Sequence, residues 1–184
     1  NDYSRACARK TLCAAVMRVF RPGVKFDHVL VLDGAQDTGK STVVEILGGE
    51  WSTDAAVDPH NRDTVDMMQG RWIIEMAEME VSRRAESDAL KAFISRTTDR
   101  ARLAYGRRTG EFPRQSIFIA TKNPQVDGTY LKDDTGNRRW WPVRCEPKHG
   151  TVGTQVDFGG LKAARNQLFA EAVMRTKTAP GEKL

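Results

Sequence analysis

Gly34-Ala35-Gln36-Asp37-Thr38-Gly39-Lys40-Ser41 spells G-x-x-x-x-G-K-[ST], and its surroundings decide how it folds. The apolar run Val29-Leu30-Val31-Leu32 precedes it and the helix-compatible run Thr42-Val43-Val44-Glu45-Ile46-Leu47 follows, so the local order is strand, loop, helix. In such a loop the glycines let successive backbone N–H groups curl around phosphate oxygens, and the helix presents its N-terminus to the anion. This reading assigns Gly34, Ala35, Gln36, Asp37, Thr38, Gly39, Lys40, Ser41 and Thr42 to a nucleoside triphosphate, taken to be ATP. Lys40 would reach the β- and γ-phosphates and Ser41 would place its hydroxyl on Mg²⁺. A glycine-rich turn that matched by chance would not need the strand before it and the helix after it.

The 184 residues around that loop are 40% hydrophobic and 29% charged, the composition of a soluble globular chain with one substantial core. No apolar run approaches the roughly 20 residues of a membrane span and no charged-then-apolar leader opens the sequence, so an intracellular, soluble protein is expected. Cys7, Cys13 and Cys145 include no C-x-x-C pair and have no histidine at ligand spacing, which implies reduced, partly buried thiols. A helical pattern is under way within a few residues of Asn1, as in a piece cut from a longer protein. The net charge of +5 and pI near 9.3 favour a polyanionic partner. Between Arg96 and Arg114 six arginines (Arg96, Arg100, Arg102, Arg107, Arg108, Arg114) face only Asp99 and Glu111. That stretch is either a phosphate-backbone contact or a solvated basic face.

Organisation along the chain supports a single P-loop ATPase domain over 1–184, with an N-terminal helix in 1–24, a core in 25–145 and a helical extension in 146–184. Tyr3 to Phe20 predicts an amphipathic helix with Leu12, Val16, Val19 and Phe20 inward, stopped by Pro22-Gly23. Gly48-Gly49 closes the helix after the loop. Trp51 to Val57 predicts a short strand, and Asn61 to Gln69 a helix opening on Asn61 or Asp63. The nearly continuous apolar run Trp72 to Glu78 reads as a buried strand of a parallel sheet. Ser87 and Asp88 can cap a helix carrying Leu90, Phe93, Ile94 and Thr97. Arg102 to Arg114 suggests a hairpin, Ile117 to Thr121 a strand ended by Asn123-Pro124, and Gln125 to Asn137 a long loop. The apolar part of Arg138 to Val143 predicts an edge strand, because Pro142 cannot donate to a ladder. Leu161 to Thr176 predicts a last helix with Leu168, Ala172 and Val173 inward. Strands alternating with helices behind such a loop imply a three-layer α/β fold with a largely parallel sheet and an inserted β-hairpin.

Hydrolysis needs a carboxylate to orient Mg²⁺ and the attacking water. Ligands of parallel sheets lie beyond the carboxyl ends of the strands, which favours Glu78 as catalytic residue and metal partner over Glu75. Glu75 lies inside the strand and needs a partner, Lys40 or an arginine. Asn123 would detect the γ-phosphate if its strand neighbours the first one, or is simply turn chemistry. Arg138 or Arg139, at a subunit edge, could enter a neighbour's site, or the doublet belongs to a solvated loop. Trp140 and Trp141 fit core or interface aromatics better than base-stacking platforms.

Taken together, the segments resemble the virulence-associated E family, the P-loop ATPase domain of phage, prophage and pathogenicity-island replication proteins, within the superfamily 3 helicases and the wider AAA+ group. The resemblance is carried by Arg18 to Gly23, the loop, Gly48 to Trp51, Trp72 to Met79, Leu90 to Arg96, Tyr105 to Arg108, Pro113 to Gln115, Thr121-Lys122-Asn123, Thr135 to Val143 and Arg165 to Ala172. It implies a ring ATPase, hexameric in expectation, acting on DNA (single-stranded) in a bacterial cytoplasm, with a primase-type region elsewhere in the longer chain. It also implies a Walker B role for Glu78 with Glu75 nearby, a sensor role for Asn123, a finger in trans from Arg138 or Arg139, and a DNA-facing hairpin with Arg102, Arg107, Arg108 and Arg114. The alternative is a nucleotide-gated initiator or loader that does not unwind. Asp37 stands where glycine is expected in many relatives, so its carboxylate must point away from the phosphates, and Lys122 replaces an expected hydroxyl residue.

Overall fold

The computed structural model describes residues 1–61, 63–77, 84–102, 108–123, 137–145 and 156–178. In chain order its helices and strands are α1 (Asp2–Phe20), β1 (Val29–Asp33), α2 (Lys40–Gly48), β2 (Ser52–Thr53), α3 (Asp63–Met68), β3 (Ile73–Met76), α4 (Arg84–Ile94), β4 (Thr98–Ala101), β5 (Gly110–Pro113), β6 (Ile117–Lys122), β7 (Trp140–Arg144) and α5 (Phe158–Thr178). Five strands form one sheet in the order β2-β3-β6-β1-β7, every adjacent pair parallel. β4 and β5 form a separate antiparallel pair, the hairpin. The fold is therefore the mixed α/β, mostly parallel arrangement expected.

The period-2 geometry of a strand splits its apolar residues between two helical layers. Leu30, Leu32, Ile73, Ile117 and Ile119 point to one face and pack with Ala14, Ala15, Val44 and Leu47 of α1 and α2. Val29, Val31, Ile74, Met76, Phe118 and Ala120 point to the other and pack with Met68 of α3 and Leu90, Phe93 and Ile94 of α4. α5 lies on the first face, against α1 and α2, with Ala172 buried beside Cys13 and Val16. Trp140 is buried in the core and Trp141 stacks on His28, 4.3 Å between ring centroids, as core aromatics rather than exposed platforms. Among the described residues β7 pairs only with β1 and so lies at the sheet edge, where Pro142 is tolerated.

Two local expectations fail for tertiary reasons. α1 keeps Val16 buried and Leu12 packed inward as expected, but its other inward residues are small, Cys7, Thr11, Ala14 and Ala15, while Phe20 is 70% exposed and Val19 half-exposed. Small side chains let the helix approach the sheet closely, and the inward place in its last turn goes to Arg18. That guanidinium, 1% exposed, donates to the carbonyls of Phe26 (2.7 Å), Val24 (3.3 Å) and Ser116. Burial and the neighbouring Arg114 pull its pKa down to about 10, against the opposing pull of Asp99 and Asp27. α4 begins at Arg84 rather than at a Ser87 cap, and Ser87 is buried within it.

Candidate functional site

A cavity of about 530 Å³ opens beyond the carboxyl ends of β1, β3 and β6, lined by Gln36, Asp37, Gly39, Lys40, Ser41, Thr42, Ala77, Thr121, Lys122, Asn123 and Phe158. The loop between β1 and α2 forms its floor. Gly34 donates its N–H to the Lys122 carbonyl at 3.1 Å, and a Cβ there would run into the Cys145 carbonyl, so the first glycine serves close strand packing. Gly39 has φ +79, and Asp37 has φ +61, the one non-glycine residue at positive φ among those described. Asp37 thus holds a backbone conformation that glycine adopts freely and that aspartate tolerates better than most residues.

Lys40 opens α2 and is buried, its ammonium donating to the carbonyls of Gly34 and Ala35 (2.7 Å each), to Thr38 Oγ1 (3.3 Å) and to Asn123 Oδ1 (3.2 Å). The Asn123 bond exists because β6 lies directly beside β1, which ends at the loop. Cys145, at the end of β7, has its thiol pKa pushed up by burial, with Lys40 opposing and Asp33 reinforcing the rise.

Among the described residues Glu75 pairs with neither Lys40 nor an arginine, the partners expected for it. Its Oε1 accepts from Ser41 Oγ at 2.6 Å and from Thr121 Oγ1 at 2.8 Å, and the residue is 5% exposed. Strand parity explains the meeting: Glu75 shares its face with Ile73, Thr121 shares its face with Ile117 and Ile119, and both face α2. Two hydroxyl donors satisfy a carboxylate that would otherwise be costly to bury. Glu78, the carboxylate preferred from the sequence, lies outside the described residues, as does Arg107.

The arginines separate. Arg138 and Arg139 sit on a short 3₁₀ turn leading into β7. β7 runs parallel to β1, with Val29 opposite Trp140 and Asp33 opposite Arg144, so the doublet stands at the end of the sheet away from the loop. A five-residue strand separates those ends by roughly 16 Å. Arg139 donates to Ser95 Oγ at 3.1 Å and lies 3.9 Å from Asp27, whereas Arg138 is exposed. Arg102 and Arg108 are exposed at the far part of the hairpin. Arg114 is not on that surface: it is 2% exposed, forks onto the two carboxylate oxygens of Asp99, and donates to the Phe93 carbonyl at 2.8 Å. Its neighbours along the sequence signalled a basic face, but burial at the hairpin root makes it a clamp between β4, β5 and α4.

Thr121 and Phe158 were missed as site residues. Thr121 carries a readable signal, since it continues the parity of Ile117 and Ile119 to the polar end of the strand. Phe158 carries none, because only the packing of α5 brings it to the cavity.

No helix among the described residues is long and apolar enough to cross a membrane. No curated protein matches the sequence. Among solved structures, the apo C-terminal region of NrS-1 superposes with a TM-score of 0.60 at 16% identity, covering 92% of this chain and 41% of that one. The form of that region spanning residues 305–718 gives 0.56 at 16% identity, with 87% and 39% covered, and a JCV helicase structure gives 0.46 at 17%, with 78% and 40% covered. The chain thus spans about two fifths of these proteins' chains, and at such identities the NrS-1 likeness is one of fold. Residues 1–181 match the model of the virulence-associated protein E-like domain, and with nearly every residue included in that match, this chain belongs to the virulence-associated protein E-like family.

Proposed function

We propose that this domain is a Mg²⁺-dependent ATPase of a replication helicase that works on DNA as a ring, hexameric, with ATP between subunits. The observation that carries the reading is the convergence of Lys40, Asn123 and the Ser41–Glu75 pair on one cavity at the carboxyl ends of the strands. Polyphosphate oxygens would compete with the Gly34 and Ala35 carbonyls for the Lys40 ammonium, and Asn123 stands within reach of the outermost phosphate. The Ser41 hydroxyl and the Glu75 carboxylate are the hard oxygen donors that suit magnesium, which when bound would offset the charge of the phosphate oxygens. Glu75 orients that hydroxyl, and Glu78 is the residue proposed to hold the attacking water. The position of Arg138 and Arg139 at the opposite end of the sheet favours action on a neighbour's nucleotide. Arg139 is engaged by Ser95 and Asp27 of its own subunit, which favours Arg138 as the finger. Arg102, Arg107 and Arg108, without Arg114, make up the proposed DNA contact.

The test is ATP turnover and binding in four variants. Lys40→Ala should lose both, Glu75→Gln should lose turnover and magnesium-dependent tightening of nucleotide binding, and Glu78→Gln should keep binding while turnover falls at least about a hundredfold. Arg138→Ala should be inactive alone yet regain turnover when mixed with Glu78→Gln. Near wild-type hydrolysis by folded Lys40→Ala would refute the proposal. ATP-dependent DNA binding without strand separation would replace the motor by a loading module.

A further inference from the structure

We propose that Phe158 is the nucleoside wall of the phosphate-loop cavity, its ring stacking on the base of a bound nucleoside triphosphate. The inference rests on the reading of that cavity as a nucleotide site. The walls contributed by β3, β6 and the residues after them are small or polar, namely Ala77, Thr121, Lys122 and Asn123, and Phe158 is the one aromatic among the described lining residues. A polyphosphate held by the loop and the N-terminus of α2 consumes the polar donors and leaves the base to find an apolar surface. The half-buried Phe158 ring offers one.

The backbone of Phe158 is set at the start of α5. Phe158 donates its N–H to the Val156 carbonyl at 3.0 Å, and the Asp157 carboxylate caps the first turn of α5 by accepting from Gly160 N at 2.7 Å. α5 is in turn tied to α2, since Arg165 Nε donates to the Leu47 carbonyl at 3.0 Å, and to the residue leading into β3, since Phe169 packs on Trp72 with centroids 4.7 Å apart. α2 carries Lys40, Ser41 and Thr42, so the aromatic and the phosphate-binding groups stand on two helices packed against each other. Thr42 lines both this cavity and a neighbouring depression along α2 and α5 with Lys162 and Arg165, so a second depression borders the cavity on the Thr42 side. A base stacked on Phe158 would lie in that direction, away from the Glu75–Thr121 wall. Aromatic stacking tolerates any base because every base has a π-face, so this wall supplies affinity for the nucleoside rather than a choice among bases.

Calorimetric titration of the wild type with ATP and with inorganic tripolyphosphate separates the two halves of the ligand. Phe158→Ala should weaken ATP about tenfold or more and leave tripolyphosphate unchanged, and Phe158→Tyr should restore ATP binding. Unchanged ATP affinity, or equal losses for both ligands, would overturn the inference. Phe158→Trp supplies a reporter that does not depend on the alanine variant folding: its emission should be quenched by ATP and not by tripolyphosphate, and an identical response to both would also overturn the inference. Lys40→Ala tests the underlying reading separately. Retention of tripolyphosphate by that variant refutes the phosphate site itself, whatever Phe158 does.

Discussion

Arg114→Leu is expected to destabilise the domain by about 3–5 kcal/mol, because it removes one partner of a buried ion pair and leaves the other uncompensated. The side chains of Arg114 and Asp99 are 1% and 4% exposed, and the guanidinium meets the carboxylate through two nitrogens, so no solvent can take its place without opening the hairpin root. The bond to the Phe93 carbonyl is lost with it, and that carbonyl lies at the end of α4 in the core. For a domain of this size each kcal/mol moves the midpoint by about 2–4 °C, so Tm should fall by roughly 6–20 °C. Thermal unfolding followed by circular dichroism at 0.15 and 1 M salt is the assay, and the loss should persist at high salt because a buried pair is little screened. Asp99→Leu combined with Arg114→Leu should recover much of the loss, since two apolar residues leave no stranded charge. An Arg114→Leu protein melting within about 3 °C of wild type, with weakened DNA binding and a flatter salt dependence, would refute the clamp and return Arg114 to the basic surface.

Thr121→Val removes one of the two hydroxyls that hold Glu75, so kcat should fall about tenfold with ATP affinity retained and Thr121→Ser should rescue it; a purely structural threonine would not show that split in a turnover and binding assay. Asp37→Gly should relieve the left-handed backbone and remove a negative charge from the cavity, tightening ATP a few-fold by titration, and Asp37→Asn should reproduce the charge effect; weaker binding in both would show the carboxylate to be a positive contributor. Burial lowers the His28 pKa against the opposing pull of Asp27, so the unfolded state takes up the proton first as pH falls. Stability should therefore be full above about pH 6.5 and drop as the pH goes from 6.5 towards the lowered value, and His28→Phe should lose less Tm between pH 7 and 5 than wild type.

The strand–loop–helix around residues 34–41 and the doubly buried character of the strands were legible in the sequence because both are written in local pattern. G-x-x-x-x-G-K-[ST] between an apolar run and a helical run leaves few backbone solutions, and the uninterrupted apolar runs Val29 to Leu32 and Ile117 to Ala120 are the mark of strands buried on both faces. The partner of Glu75 was not legible, since β3 and β6 are far apart in sequence and only their adjacency, with β6 also beside β1, brings Ser41, Thr121 and Asn123 to the same place. The fate of the arginines follows the same rule. Composition marked Arg96 to Arg114 as one basic stretch, yet pairing of β4 with β5 turned Arg114 onto Asp99 and left Arg102 and Arg108 outside. Helical spacing in α1 likewise favoured Phe20 as core, but the inward place in the last turn went to a buried Arg18 and Phe20 stayed exposed. Sequence by itself determined the strand, loop and helix order around residues 34–41 and the apolar strands of the sheet. Tertiary structure decided which side chain each charged group meets, because burial and pairing are properties of surfaces brought together from distant parts of the chain.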